Sequence, residues 1–142
     1  LMAAVDLNTV RSIIEGRLAT ELALSPAIPV VFHNMPNNPT ARSSWVQCLV
    51  QFGGNQYLSQ GLTARGSTKV IGVLLCNIFT PKGVGPGANY VIGKRIRDLY
   101  NRAIVSGVFF DAADGPAVVD SPQPEPFFQT RVSVAFEFIE DL

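Results

Sequence analysis

A glycine-rich turn after the apolar run that ends at Phe79 has the residue types and spacing best suited to chemistry. Gly83, Gly85 and Ala88 fit the pattern G-x-G-x-x-A of a dinucleotide-binding turn. Such a turn follows a strand and begins a helix whose N-terminus faces a pyrophosphate, and an acidic residue ends the next strand. Here helical spacing begins near Ala88, and Asp111 ends the later apolar run VFFD. Each part of a dinucleotide-binding turn therefore has a counterpart in this sequence.

The surroundings of this turn favour a plain strand-to-helix connection instead. The apolar run before it follows another predicted strand rather than a βα unit, and no further βα units come after it. Pro81, Lys82 and Pro86 crowd the turn, and Pro86 has no amide hydrogen to offer a phosphate. The P-loop pattern G-x-x-x-x-G-K-[ST] is absent. A small nucleotide-binding enzyme that uses this turn therefore stays only as an alternative.

The other candidate groups lack the partners that catalysis or metal binding requires. His33 is the single histidine, and no cysteine and histidine cluster has the spacing of metal ligands. The serines at positions 43, 44, 59 and 67 lie in predicted turns, and the chain lacks the G-x-S-x-G elbow of a hydrolase. Asp111, Asp114 and Asp120 bracket a predicted hairpin at a spacing unlike that of a calcium loop. We expect no catalytic residue, no cofactor, no metal ion and no enzymatic activity.

One helical face carries the only basic cluster, formed by Lys94, Arg95, Arg97 and Arg102. Such a face can contact nucleic acid. The chain as a whole has 11 Lys and Arg against 11 Asp and Glu, so it has no global attraction to phosphate. The cluster therefore favours a solvated face, or one that pairs with acids of a neighbouring subunit, over a nucleic-acid module.

Cys48 and Cys76 are the two cysteines, and both fall inside predicted strands with apolar neighbours. That setting favours buried free thiols in a reducing compartment. A disulfide stays open as an alternative if the two strands prove to be neighbours.

Composition suits one domain over residues 1–142, because 142 residues with 47% hydrophobic content can bury a single core. Only 15% of the residues are charged, against roughly 25% in an average soluble domain, which hints at a surface covered by partners. No apolar run approaches the ~20 residues that cross a bilayer. Asp6, Arg11 and Glu15 within the first apolar pattern indicate an amphipathic helix rather than a signal peptide.

Hydrophobic spacing predicts a helix, three strands, a second helix and two or three more strands. An apolar stripe predicts the first helix over residues 4–23, and a second stripe predicts the other over residues 88–105, with Gly107 near its C-terminal cap. VFFD and AVVD look like the arms of a hairpin. We therefore expect an α+β domain with a mostly antiparallel sheet and two helices packed on it.

A segment of fifteen polar and glycine-rich residues, Gly53–Ser67, separates the second and third predicted strands. Hairpin connections usually have two to five residues, and loops this long are often functional. We predict a loop here and expect it to contact a partner.

The whole chain resembles the tail completion proteins, or tail terminators, of tailed bacteriophages, similar to those of lambda-like phages. The sharpest part of the resemblance is Gly72–Ala88, where the chain follows the pattern G-V-L-x-x-x-I-F-T-P-x-G-x-G and then begins a helix at G-A. An N-terminal amphipathic helix, a long polar segment and a final alternating strand complete the likeness.

This resemblance implies a structural virion protein of the phage neck. Family members form a homo-hexameric ring on the head-proximal end of the tail tube, stop its polymerisation, and join it to the head connector. The implied partners are further copies of the chain, the tail-tube protein and a head-closure protein, and genomic DNA passes through the ring without specific binding. Assembly in the host cytoplasm and a final place in the virion, with no membrane, follow from the same resemblance.

A different neck or tube component, such as a head-closure protein or a tail-tube subunit, is the nearest alternative within this class. The residues expected at subunit or tube contacts are Asn55, Gln56, Tyr57, Leu58, Gln60, Leu62, Arg65, Arg95 and Arg102.

Overall fold

The computed structural model describes residues 6–35, 44–59, 67–83, 85–119 and 127–141. These residues form two helices and a seven-stranded sheet. In chain order the elements are α1 (Leu7–Ala23), β1 (Val30–Phe32), β2 (Trp45–Ser59), β3 (Ser67–Pro81), α2 (Gly87–Tyr100), β4 (Ile104–Val105), β5 (Val108–Phe110), β6 (Asp114–Val118) and β7 (Phe127–Asp141).

The sheet is antiparallel except at one edge, where β1 runs parallel to β2. The strand order is β1-β2-β3-β7-β5-β4, and β6 pairs with β7 farther along the same side as β5. The three longest strands, β2, β3 and β7, lie side by side and have 15 residues each. The predicted α+β class with a mostly antiparallel sheet and two helices is confirmed.

Both helices pack on one face of this sheet, where the main core lies. The predicted stripe of α1 buries Val10, Ile14, Leu18 and Leu22, whereas Leu7 stays exposed. In β7 the predicted inward positions 132, 134, 136 and 138 are all buried in the same cluster. Asp6 caps α1 by accepting a hydrogen bond from the Thr9 amide at 2.8 Å. Neither described helix is long and apolar enough to cross a membrane.

A second, smaller cluster lies on the opposite face of the sheet. The rings of Trp45 and Phe79 stack at 4.3 Å between centroids, and Phe127 meets Trp45 edge-on at 6.0 Å. Val31 completes the cluster. Strand alternation alone predicts one buried face for β2, yet at this end of the strand both faces are buried.

The second helix ends earlier than its apolar spacing predicts, at Tyr100 instead of residue 105. Gly107 does not cap it. Instead Ser106 and Gly107, with φ of 48° and 87°, form the two-residue turn between β4 and β5. Two consecutive residues with positive φ are typical of a tight hairpin turn, and glycine adopts that conformation without steric cost.

The predicted hairpin of VFFD and AVVD is wrong. β5 and β6 do not pair with each other, because both pair with β7 in succession along one side. Residues 111–113 interrupt them, so they act as two pieces of one broken strand. Gly115 has a φ of 100° at the irregular point of β6, a conformation that side chains rarely adopt.

Candidate assembly edge

The predicted loop at 53–67 is wrong throughout its described part, because β2 continues through Gly53–Ser59 and β3 begins at Ser67. A register shift between Phe52 and Asn55 places Gly53 and Gly54 in a bulge, after which pairing with β3 resumes at Val70. A bulge bends a strand without ending it, so two glycines that look like a loop act here as an irregularity within a ladder. Residues 60–66 lie outside the described residues.

β1 covers only a small part of the side of β2 that faces away from β3. Its three residues pair with Val46, Gln47 and Cys48. In the described part of the chain, no strand pairs with that side of β2 from Leu49 to Ser59. We call this backbone side of Leu49–Ser59 the open edge. An unpaired edge presents N–H and C=O groups that can pair with another strand.

The open edge contains a bulge at Gly53 and Gly54, but its composition does not block pairing. The β2 sequence WVQCLVQFGGNQYLS contains no charged residue and no proline, which are the usual means of blocking edge-to-edge pairing. The opposite side of the sheet differs, because β4 has two residues and β6 contains Asp114 and Pro116. The two sides of the sheet therefore present different surfaces, one long and uncharged and the other short and interrupted.

The start of the open edge borders a shallow cavity of about 340 Å³ lined by Arg11, Glu15, His33, Asn34, Val50 and Phe52. Arg11 and Glu15 form an ion pair on α1 at 2.6 Å. Phe52 is 37% exposed and meets Phe136 and Phe138 edge-on, both at 5.9 Å. The cavity next to β2 beyond the end of β1 is thus bordered by α1 and by the Phe52 ring, which rests on the two buried rings.

The predicted interface residues divide into three groups. Asn55, Gln56, Tyr57 and Leu58 lie in β2 within the open edge, so they are strand residues rather than loop residues. Gln60, Leu62 and Arg65 lie outside the described residues. Arg95 and Arg102 lie on and just after α2, and the structure gives them separate environments.

Arg95 and Arg17 brace the two helices against each other. Arg95 donates to the carbonyl oxygens of Glu21 at 2.7 Å and Pro26 at 2.8 Å, at the C-terminal end of α1. Arg17 donates in turn to the carbonyl oxygen of Leu99, in the last turn of α2, at 2.9 and 3.1 Å. Each guanidinium therefore binds backbone carbonyl oxygens at, or just beyond, the C-terminal end of the other helix.

The rest of the basic cluster is also dispersed. Lys94 pairs with Asp98 one turn along α2, and this hydrogen bond lowers the pKa of the Asp98 carboxyl below its ordinary value of 3.8. Arg97 is half-buried, and Arg102 is exposed in the turn after the helix. Two of the four cationic side chains, Lys94 and Arg95, are thus already engaged by groups of the chain itself.

The glycine turn likewise lacks the setting of a dinucleotide site. β3, the strand before it, is antiparallel to both of its neighbours, β2 and β7, whereas dinucleotide turns follow parallel strands. Gly83 and Gly85 have φ of 90° and 83°, so they provide the backbone reversal from β3 into α2.

Asn89, in the first turn of α2, anchors this connection. Its side chain is fully buried, accepts a hydrogen bond from the Thr80 hydroxyl at 2.6 Å, and donates to the carbonyl of Ile78 at 3.2 Å and to Thr130 at 3.3 Å. The first turn of the helix is therefore tied to β3 and β7. The sequence signal for this anchor is a lone asparagine just after G-A, which periodicity alone does not distinguish from a surface residue.

Asn77 is a second buried polar centre that the sequence analysis missed, on the sheet face opposite the helices. Its side-chain oxygen accepts from Gln129 at 3.0 Å and from Arg131 at 2.8 Å, and its amide donates to Gln47 at 3.1 Å. A polar residue inside the apolar run VIGVLLCNIFT is the available signal. Among the described residues, no group of three or more His, Cys, Asp or Glu side chains is arranged to hold a metal ion.

Comparison with known proteins gives the fold alone. No family model and no curated protein matches the sequence. One solved structure, whose name describes no function, has a TM-score of 0.65 and 18% sequence identity to this chain, over 95% of this chain and 96% of that chain. The likeness therefore extends over nearly the whole of both chains, which supports the α+β architecture described above.

Proposed function

We propose that this protein is a structural subunit of a tailed-bacteriophage neck, the tail terminator, which forms a homo-hexameric ring on the head-proximal end of the tail tube. Two features support this role, namely the sequence resemblance over Gly72–Ala88 and the open edge of β2. In this role the protein ends tube polymerisation and joins the tail to the head connector, as part of the virion.

The open edge is the observation that carries the proposal. A monomer that exposes a long uncharged strand edge is prone to uncontrolled pairing, and a closed ring covers such an edge with a neighbouring subunit. A ring also requires two different surfaces that meet head to tail. The unequal sides of this sheet meet that requirement.

Capping of tail tubes by a Gln51→Lys variant tests the proposal. Gln51 is exposed on the open edge, so a lysine is expected to leave the monomer folded while placing a charge where the neighbouring strand must approach. We expect wild-type protein to bind tube ends and stop tube growth in electron micrographs, and Gln51→Lys to do so at least tenfold less well.

Thr20→Lys is the matched control, because Thr20 is exposed on α1 away from the edge. It should cap tubes as the wild type does. Equal capping by all three proteins would show that the open edge has no role in capping. Failure of the wild type to bind tube ends would contradict the terminator role. Binding along the tube instead of at its end would favour a tail-tube subunit.

A further inference from the structure

The two cysteines lie directly opposite each other on neighbouring antiparallel strands. Cys48 of β2 and Cys76 of β3 are register partners, and both side chains are fully buried beneath the helices. Opposed residues in an antiparallel pair have Cα atoms about 4.5 or 5.5 Å apart. Both separations lie within the range of about 4.4–6.8 Å that a disulfide spans.

The surroundings of the pair disfavour ionisation of the Cys76 thiol. Both are free in the structure. A hydrogen bond with Cys48, together with burial, raises the pKa of the Cys76 thiol well above 9.0. Because the thiolate is the reactive form, the folded core suppresses exchange.

The pair lies beside a weak element of the sheet, whose Phe32 side chain packs against the same core as the two thiols. Phe32 of β1 is the register partner of Cys48 on the side away from Cys76. β1 holds the edge through only three residue pairs, and short terminal or edge elements open at low free-energy cost. Detachment of β1 uncovers the edge of β2 at Cys48 while β3 stays paired on both sides.

We propose that Cys48 and Cys76 form a redox-controlled staple, free in the reduced protein and closed to an intrachain disulfide by a low-molecular-weight disulfide such as oxidised glutathione. Cys48, as thiolate, attacks the small disulfide, which forms a mixed disulfide and releases one small thiol. Cys76, as thiolate, then attacks the Cys48 sulfur and displaces the second small thiol. The two protein thiol protons leave with the two released thiols.

The staple fixes the register of β2 on β3. It closes the chain between positions 48 and 76, a loop that contains the bulge at Gly53 and Gly54 and the far end of the β2–β3 pair. Restriction of this loop in the unfolded chain should raise the folding equilibrium constant by about 10²-fold. The inference does not depend on the proposed function.

The test is oxidation of the folded protein in glutathione buffers, followed by quenching with an alkylating reagent and mass spectrometry. The oxidation is run in buffer and again in urea below the unfolding transition. Urea favours detachment of β1, so slow detachment in buffer would not hide formation of the disulfide. We expect a monomer that has lost two hydrogen atoms, takes up no alkylating reagent and unfolds at a higher urea concentration than the reduced protein.

Cys48→Ala and Cys76→Ala serve as controls, because neither can close the staple and oxidation should leave the unfolding midpoint of each unchanged. Two alkylatable thiols after oxidation in both conditions would overturn the proposal. So would a disulfide between chains, a persistent mixed disulfide in the wild type, or a stapled protein that is less stable than the reduced one.

Discussion

At the scale of single residues, the packing of β3 between β2 and β7 depends on the absence of a side chain at Gly72. This glycine pairs with Phe52 on one side and Phe136 on the other, and the rings of these two residues meet edge-on. A Cβ at Gly72 would overlap the Phe136 ring and lie 2.7 Å from the carbonyl oxygen of Gln51. Gly72 therefore leaves space for the Phe136 ring, against which Phe52 of the open edge packs.

Gly72→Ala should lower the free energy of unfolding by about 1–3 kcal/mol, because the new methyl group meets ring and backbone atoms that cannot both move away. Urea unfolding measures this change. Gly54→Ala is the matched control, since no atom lies within 4 Å of a Cβ at that position. Equal stability of the two variants would show that the ring of Phe136 repacks freely.

At the scale of elements, the helix pair is held by reciprocal arginine contacts as well as by apolar packing. Tyr100 of α2 adds a buried hydrogen bond of 2.7 Å to the carbonyl of Ile14. Contacts of 14 with 100, 17 with 99 and 21 with 95 show that the helices run antiparallel. Arg95 thus has a structural task, in addition to the interface role expected for it from the sequence.

Arg95→Lys should lower the free energy of unfolding by about 1–2 kcal/mol, because a lysine ammonium cannot reach the separate carbonyls that the guanidinium fork binds. Thermal and urea unfolding measure the loss. Arg102→Lys provides the control, as Arg102 is exposed beyond the end of α2. A stable Arg95→Lys protein would mean that apolar packing alone holds α1 on α2.

Local periodicity predicted the elements whose pattern depends on near neighbours in sequence. The predicted stripe of α1 and the predicted alternation of β7 are correct, because burial of one face places apolar residues at regular intervals in the sequence. The composition of the segment GGNQYLS predicts a loop, whereas its strand state depends on pairing with β3. The tasks of Arg17, Arg95 and Asn89 depend on which elements become neighbours, so spacing could not reveal them.

At the scale of the whole molecule, the sheet has helices on one face and two unequal sides. The short strands β4 and β6 and the open edge of β2 lie on opposite sides of the sheet. Head-to-tail contact between unlike sides generates either a closed ring or an open filament, according to the rotation between subunits. The proposed terminator role requires closure.

The mass of the native assembly, measured by light scattering over a range of concentrations with and without tail tubes, tests this central claim most directly. The account predicts a closed species of six 15.3 kDa chains, formed alone or on contact with tube ends. A 15.3 kDa monomer at every concentration that also fails to bind tube ends would contradict it.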